Sequence, residues 1–297
     1  MCGIVGLFLK RPELEGELGS HLARMLAVMS DRGPDSAGFA VYGGGTPGTV
    51  KLTLRAVDEA TLVAAIDHLG ATLEEPLDPV LHETHAVVAV PQAKVEDARK
   101  AVEADKRLSL VGVGTRMELY KEVGLPAEVA RRFELSAMTG THGIGHTRMA
   151  TESAVTTNGA HPFSTALDEC LVHNGSLSNH NALRRMLTRE GITIETENDT
   201  EVAAGYLTWR MREGASLKEA LEASLKDLDG FYTFVVGTEN GFAVLRDPIS
   251  CKPAVMAETD DYVAFGSEYR ALVGLPGIEK ARVFEPEPAT VYAWERN

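Results

Sequence analysis

The chain has 297 residues, 44% of them hydrophobic, enough to bury a sizeable core as one large domain or one domain carrying an insertion. Its 43 acidic against 29 basic residues give a formal net charge of −14, which weighs against a nucleic-acid backbone or an anionic membrane as the main partner and is met most simply by solvated acidic surface. Three dispersed cysteines (Cys2, Cys170, Cys251) exclude a disulfide framework or a zinc cluster, and neither a signal peptide nor a membrane-length apolar run is present, so a cytoplasmic protein with reduced thiols is expected.

In chain order, Ile4 to Leu9 is an apolar, partly β-branched run that predicts a buried strand. His21 to Met29 carries apolar residues at the spacing of one helix face, with Ser20 as its expected N-cap. "DRGPDSAG" breaks that helix, "FAVY" resumes as a strand, and "GGGTPG" turns the chain. From about residue 49 to 140 the texture becomes that of a small α/β insertion, with helices in "LVAAIDHL" and "KVEDARKAVEADKRL" and strands in "HAVVAV" and "LSLVGVG". Nothing in it reads as catalytic. His82 and His85 flank "ET" at a spacing a metal site uses, yet without a third ligand nearby they are expected to face solvent or cap an element. "VGVG" has too few glycines for a dinucleotide fingerprint and reads as a strand end and turn. The C-terminal part alternates strands and turns in the manner of antiparallel sheet, with Phe265 and Trp294 as core.

Motifs are densest after residue 141, each placing polar residues at the end of an apolar run. "MCGIVG", "RGPDSAG", "GHTRMAT", "NGAHPF", "VHNGSLSNH", "NDTEV" and "RDPISCKP…FGSE" stand together in one order, and in that order the chain resembles the class II, N-terminal-nucleophile glutamine amidotransferases, the glutaminase units of enzymes such as glutamine:fructose-6-phosphate amidotransferase and glutamate synthase. The resemblance runs from residue 2 to about 270, is interrupted by the insertion, and implies an α+β fold, a four-layer αββα sandwich spanning residues 2–297.

Amide hydrolysis needs a strong nucleophile, a proton acceptor and donors for an oxyanion. Cys2, once Met1 is removed, combines the first two, because an α-amine with an ordinary pKa of about 7.7–8.0 can take the thiol proton and return it to departing ammonia. The side-chain amide of Asn174 and the backbone N–H of Gly175 in "LVHNGS" would form the oxyanion hole, although "NG" alone reads as a turn. Arg148 offers a planar fork to the α-carboxylate of glutamine and Asp199 a countercharge to its α-ammonium, unless Asp199 merely caps a helix. The resemblance further implies that Thr151 lines the pocket, that Arg32 supports the nucleophile, and that His146 and His161 are structural. It also marks a departure: several relatives have His where this chain has Glu152, an acid expected to weaken glutamine binding until a partner reshapes the loop.

No metal or cofactor is expected in this chain. Because it ends at Asn297 without room for a synthase domain, it is expected to serve a complex that consumes the ammonia. "MELYKEVGLP" and "GTHGIGHTRMATES" resemble the glutaminase-like subunits of N-methylglutamate synthase and related glutamate-synthase-like systems. That resemblance implies a flavin-binding synthase subunit carrying FMN, with an iron–sulfur cluster as a further candidate, and a β-helix-type subunit as partners. The alternatives are the glutaminase subunit of another ammonia-using synthase, an amidohydrolase of a different amide, for which Arg148 and Asp199 would have no use, and a catalytically silent subunit of the same fold.

Overall fold

The computed structural model describes residues 2–150 and 155–296. The first strand, β1 (Gly3–Leu9), leads through a 3-10 turn over Pro12–Glu17 into α1 (Leu18–Val28) and β2 (Ser36–Tyr42). There follow β3 (Thr49–Arg55), α2 (Glu59–Leu73), β4 (Val80–His82), β5 (His85–Pro91), α3 (Val95–Ala104) and β6 (Ser109–Gly114), then β7 (Met117–Val123), α4 (Pro126–Arg132) and β8 (His142–Arg148). The second half runs through β9 (Phe163–Ala166), β10 (Glu169–Leu177), α5 (His180–Arg189), α6 (Asp199–Arg212) and α7 (Leu217–Asp227). It closes with β11 (Gly230–Gly237), β12 (Gly241–Arg246), β13 (Val255–Glu258), β14 (Tyr262–Gly266), β15 (Arg282–Phe284) and β16 (Val291–Glu295).

Two antiparallel sheets stack face to face. One has the order β15-β13-β14-β1-β8-β2-β7 and the other β16-β12-β11-β10-β9. Strand alternation sorts the side chains into layers. Ile4 and Phe8 of β1 meet Val172, Val235 and Phe242 between the sheets. Val5, Leu7 and Leu9 of the same strand pack outward against Leu22, Met25 and Leu26 of α1 and, through Phe39, reach Phe133 after α4. On the far side Leu171, Phe234 and Leu245 pack under α5, α6 and α7. The result is the expected αββα sandwich. Gly6 is required at its centre: a Cβ there would stand 2.5 Å from the ring of Phe242, whose burial is worth about 1.5–3 kcal/mol.

Several local expectations change. The helix expected from His21 begins at Leu18, so Ser20 lies inside its first turn rather than capping it. The insertion forms its own sheet, in the order β4-β5-β3-β6, with α2 and α3 packed on one face through Leu52, Leu54, Ile66, Leu69 and Val102. That sheet closes at Gly114 rather than near residue 140, since β7 already pairs with β2 from Ser36↔Val123 to Tyr42↔Met117. His85 does not face solvent; it is fully buried with its ring 4.6 Å from Phe133. Phe265 is buried, whereas Trp294 is only half-buried. Among the described residues no helix is long and apolar enough to cross a membrane.

Candidate active site

The motifs meet at one end of the inter-sheet layer. Pairing of β1 with β8 sets Gly3 opposite Thr147, so Cys2 enters beside Arg148. The Cys2 Sγ lies 3.9 Å from the carbonyl oxygen of Met149. Gly3 is confined there, because a Cβ would come within 2.8 Å of Thr147 Oγ1. From the opposite sheet Asn174 Nδ2 donates to the Cys2 carbonyl at 3.3 Å, and Arg32 Nε donates to the same oxygen at 3.0 Å. The Arg32 guanidinium is nearly buried and is held in turn by Glu268 Oε1 at 2.6 Å. Its neighbour Ser267 accepts from the Ile4 N–H at 2.9 Å.

"NG" is not a turn in this protein. Asn174 and Gly175 lie within β10, opposite Thr233 and Tyr232 of β11. Gly175 has φ +154°, and a Cβ would fall 2.0 Å from the Phe231 carbonyl oxygen. Alternation along β10 sends Asn174 toward Cys2 and His173 toward α6. There His173 Nδ1 lies 3.0 Å from Thr200 Oγ1 and 3.7 Å from Asp199 Oδ1. Thr200 Oγ1 also meets His161 Nε2 at 3.2 Å, and the His161 and His146 rings stack 4.0 Å apart. Burial pushes all three imidazoles below their usual pKa, His146 to about 3, so they form a neutral buried array.

Asp199 escapes the capping role. Asn198 caps α6 by accepting from the Thr200 N–H at 2.9 Å, which leaves the Asp199 carboxylate to accept from the Leu177 N–H at 2.9 Å. Arg148 is nearly buried, and a Cβ added to Gly159 in "NGAHPF" would lie 3.4 Å from its Nη1. Asp35 carries a role that sequence reasoning missed: its Oδ2 accepts from the Ala150 N–H at 2.8 Å and its own N–H donates to the Arg148 carbonyl, fastening the strand that bears Arg148. Glu268 and Ser267 were missed in the same way. All three sit inside the quoted motifs, which was the available signal. Thr151 and Glu152 lie outside the described residues. No group of three or more His, Cys, Asp or Glu side chains arranged to hold a metal occurs among the described residues.

The two stacked sheets with a cysteine at the head of a central strand have the architecture of an N-terminal-nucleophile hydrolase. Comparison with known proteins agrees. A family profile described as a glutamine amidotransferase domain matches residues 146–274. A glutamine amidotransferase-like protein, GlxB of Rhizobium meliloti, is 60% identical over 99% of this chain and 98% of its own length. Two solved structures share the fold, an allosteric regulatory enzyme of purine biosynthesis (TM-score 0.65, 22% identity) and a glutamine phosphoribosylpyrophosphate amidotransferase from B. subtilis (TM-score 0.61, 21% identity). Each aligns with 99% of this chain, which spans only 47% and 49% of theirs. The chain belongs to the class II glutamine amidotransferase family.

Proposed function

We propose that the processed chain hydrolyses glutamine to glutamate and ammonia through Cys2. The observation that carries this reading is the convergence of the Asn174 amide and the Arg32 guanidinium on the Cys2 carbonyl, beside Arg148. With Met1 removed, the Cys2 α-amine takes the thiol proton and Sγ attacks the side-chain carbonyl carbon of glutamine. The new oxyanion is held by Asn174 and the Gly175 N–H. Only one Asn174 N–H is committed to the Cys2 carbonyl, so the second remains for that task. Collapse of the adduct breaks the C–N bond, ammonia leaves with the proton from the α-ammonium, and a thioester remains. Water, deprotonated by the same amine, then releases glutamate and restores the thiol. Arg148 and Asp199 would hold the α-carboxylate and α-ammonium, and Thr151 would line the pocket.

The ammonia, or an amine in its place, is proposed to reach an acceptor in a glutamate-synthase-like complex with a flavin-binding subunit and a β-helix-type subunit. Among such complexes N-methylglutamate synthase, joining glutamate and methylamine, is favoured by the likeness of "MELYKEVGLP" and "GTHGIGHTRMATES". The test uses protein whose intact mass shows Met1 removed. Cys2→Ala should abolish both ammonia release and labelling by a glutamine-analogue electrophile, and undiminished turnover by that variant would end the reading. Co-purification with identification of bound chains and flavin tests the complex.

A further inference from the structure

Away from Cys2, a second cleft of about 220 Å3 opens where the insertion meets the five-stranded sheet. Strands β6 and β9 are the outer edges of their sheets, and both line it. At one end the two are tied together: the Asp168 N–H donates to the Val113 carbonyl at 2.9 Å, and the Asp168 carboxylate accepts from the N–H groups of Thr115, Arg116 and Met117. Beyond that knot they part, and charged side chains line the gap.

Two of these charges are unspent. Arg99 on α3 and the Glu195 carboxylate before α6 both face the cleft, yet neither forms a side-chain hydrogen bond or ion pair among the described residues, with each other or with anything else. Arg55 is already balanced: its Nε lies 3.8 Å from Glu122 Oε2, and its Nη2 donates to Thr157 Oγ1 at 3.3 Å. Lys121 Nζ donates to the Asn158 and Pro162 carbonyls, at 3.2 and 3.4 Å, which leaves one of its three N–H groups. Burial and the neighbouring Glu201 push the Glu195 carboxyl upward, against an opposing pull from the Lys121 ammonium.

We propose that this cleft binds a small acidic α-amino acid, glutamate or aspartate, and that its occupant tunes glutamine binding at the Cys2 site. Free cation and free carboxylate in one cleft suit a zwitterion, and the remaining Lys121 N–H in the same cleft offers a donor to a second carboxylate. The volume is below the roughly 300–1,000 Å3 of drug-sized pockets and fits a metabolite of this size. Thr157 and Asn158 form one wall. The next residue, Gly159, adjoins Arg148 Nη1 and accepts from Asn198 Nδ2 at 3.3 Å, the side chain that caps α6 beside Asp199. One segment therefore shows one side to the cleft and the other to the residues assigned to glutamine, so a ligand that orders it raises glutamine affinity. This coupling, unlike the site itself, rests on the glutaminase reading.

The test separates the two. In a Cys2→Ala, Arg148→Ala protein, disabled at the glutamine site, calorimetric titration with L-glutamate and with L-aspartate should give binding at millimolar or lower concentration. Arg99→Ala, which removes a side chain with no hydrogen bond or ion pair among the described residues, should weaken that binding about tenfold or more, as should Glu195→Gln independently. Absence of binding, or binding unmoved by both variants, overturns the site. In protein with the glutamine site intact, saturating aspartate should lower KM for glutamine several-fold, and Arg99→Ala should remove that effect; an unchanged KM overturns the coupling. Aspartate binding by processed protein that hydrolyses no glutamine would support the site while removing the glutaminase reading.

Discussion

In the proposed mechanism Asn174 and Arg148 act on glutamine at different stages, and substitution should separate them. Asn174→Ala removes the proposed oxyanion donor and should lower kcat roughly 100- to 1,000-fold, whereas Arg148→Ala should act mainly on KM; steady-state kinetics checks both. Gly175→Ala should be worse than either, since it meets the Phe231 carbonyl oxygen at 2.0 Å and strains a backbone at φ +154°; soluble yield and melting temperature read that out. Cys2, Arg32 and Asn174 were legible because each is a distinctive letter in a motif, and the structure brings them together. Glu268 was not, because its meaning is its contact with Arg32 across 236 positions of chain, which no local pattern encodes. Asp35 escaped for the same reason: its side chain serves the backbone N–H of Ala150, just beyond β8 and 115 positions away.

At the level of elements, the periodic segments were plain and their edges were not. "NG" is a turn signal only when the flanking chain reverses; here β10 runs straight through it because Val172 and Leu171 have a layer to fill on each face. The N-cap of α6 could have been Asn198 or Asp199 by composition, and it is the asparagine that takes it, freeing the acid. The end of the insertion was misjudged because β7 is amphipathic on both sides. Its Tyr120 packs in the outer core, while Glu118 and Lys51 of β3 form an ion pair at 2.7 Å across the seam, as Glu122 and Arg55 do at 3.8 Å. Lys121 on the same strand is buried, which lowers its amine to about 8, and it supports the "NGAHPF" segment from behind through two carbonyls. Lys121→Met leaves both acceptors unpaired, at about 1–3 kcal/mol each. It should lower the melting temperature and raise KM for glutamine more than it changes kcat.

For the whole molecule the buried histidines set an acid limit. Burial pushes His85, His142 and His146 to about 3, and lowers His161 and His173 as well. In the unfolded chain each would titrate near 6.5, so below that pH the unfolded state binds more protons. Their stabilising contribution is complete above about pH 6.5 and is lost as pH falls, by up to about 1.4 kcal/mol per pH unit for each histidine. Glu169 has the opposite sign. Burial raises it to about 8, so its contribution is present below the unfolded value near 4.5 and fades as pH climbs toward 8. Denaturant midpoints should therefore drop steeply on acidification below about pH 6.5, and Glu169→Gln should raise them between about pH 6 and 8. A sandwich was legible from the alternating strands and the family resemblance. Strand order was not, because partners such as β1 and β14 lie at opposite ends of the chain.

That pairing governs when the protein can begin to work. Strand β1, with Cys2 at its head, is flanked by β8 and by β14, whose register runs from Val5↔Gly266 to Leu9↔Tyr262. During synthesis at about 5–20 residues per second, the strand emerges well before its second neighbour, whose Gly266 follows its partner Val5 by 261 positions. The Glu268 carboxylate that steadies Arg32 emerges later still. Such distant pairing makes folding slow, and it leaves an apolar strand without a partner on the ribosome. It also delays assembly of the surroundings of Cys2 until Glu268 has been made, so a translation product interrupted before that residue carries the thiol but not the site around it.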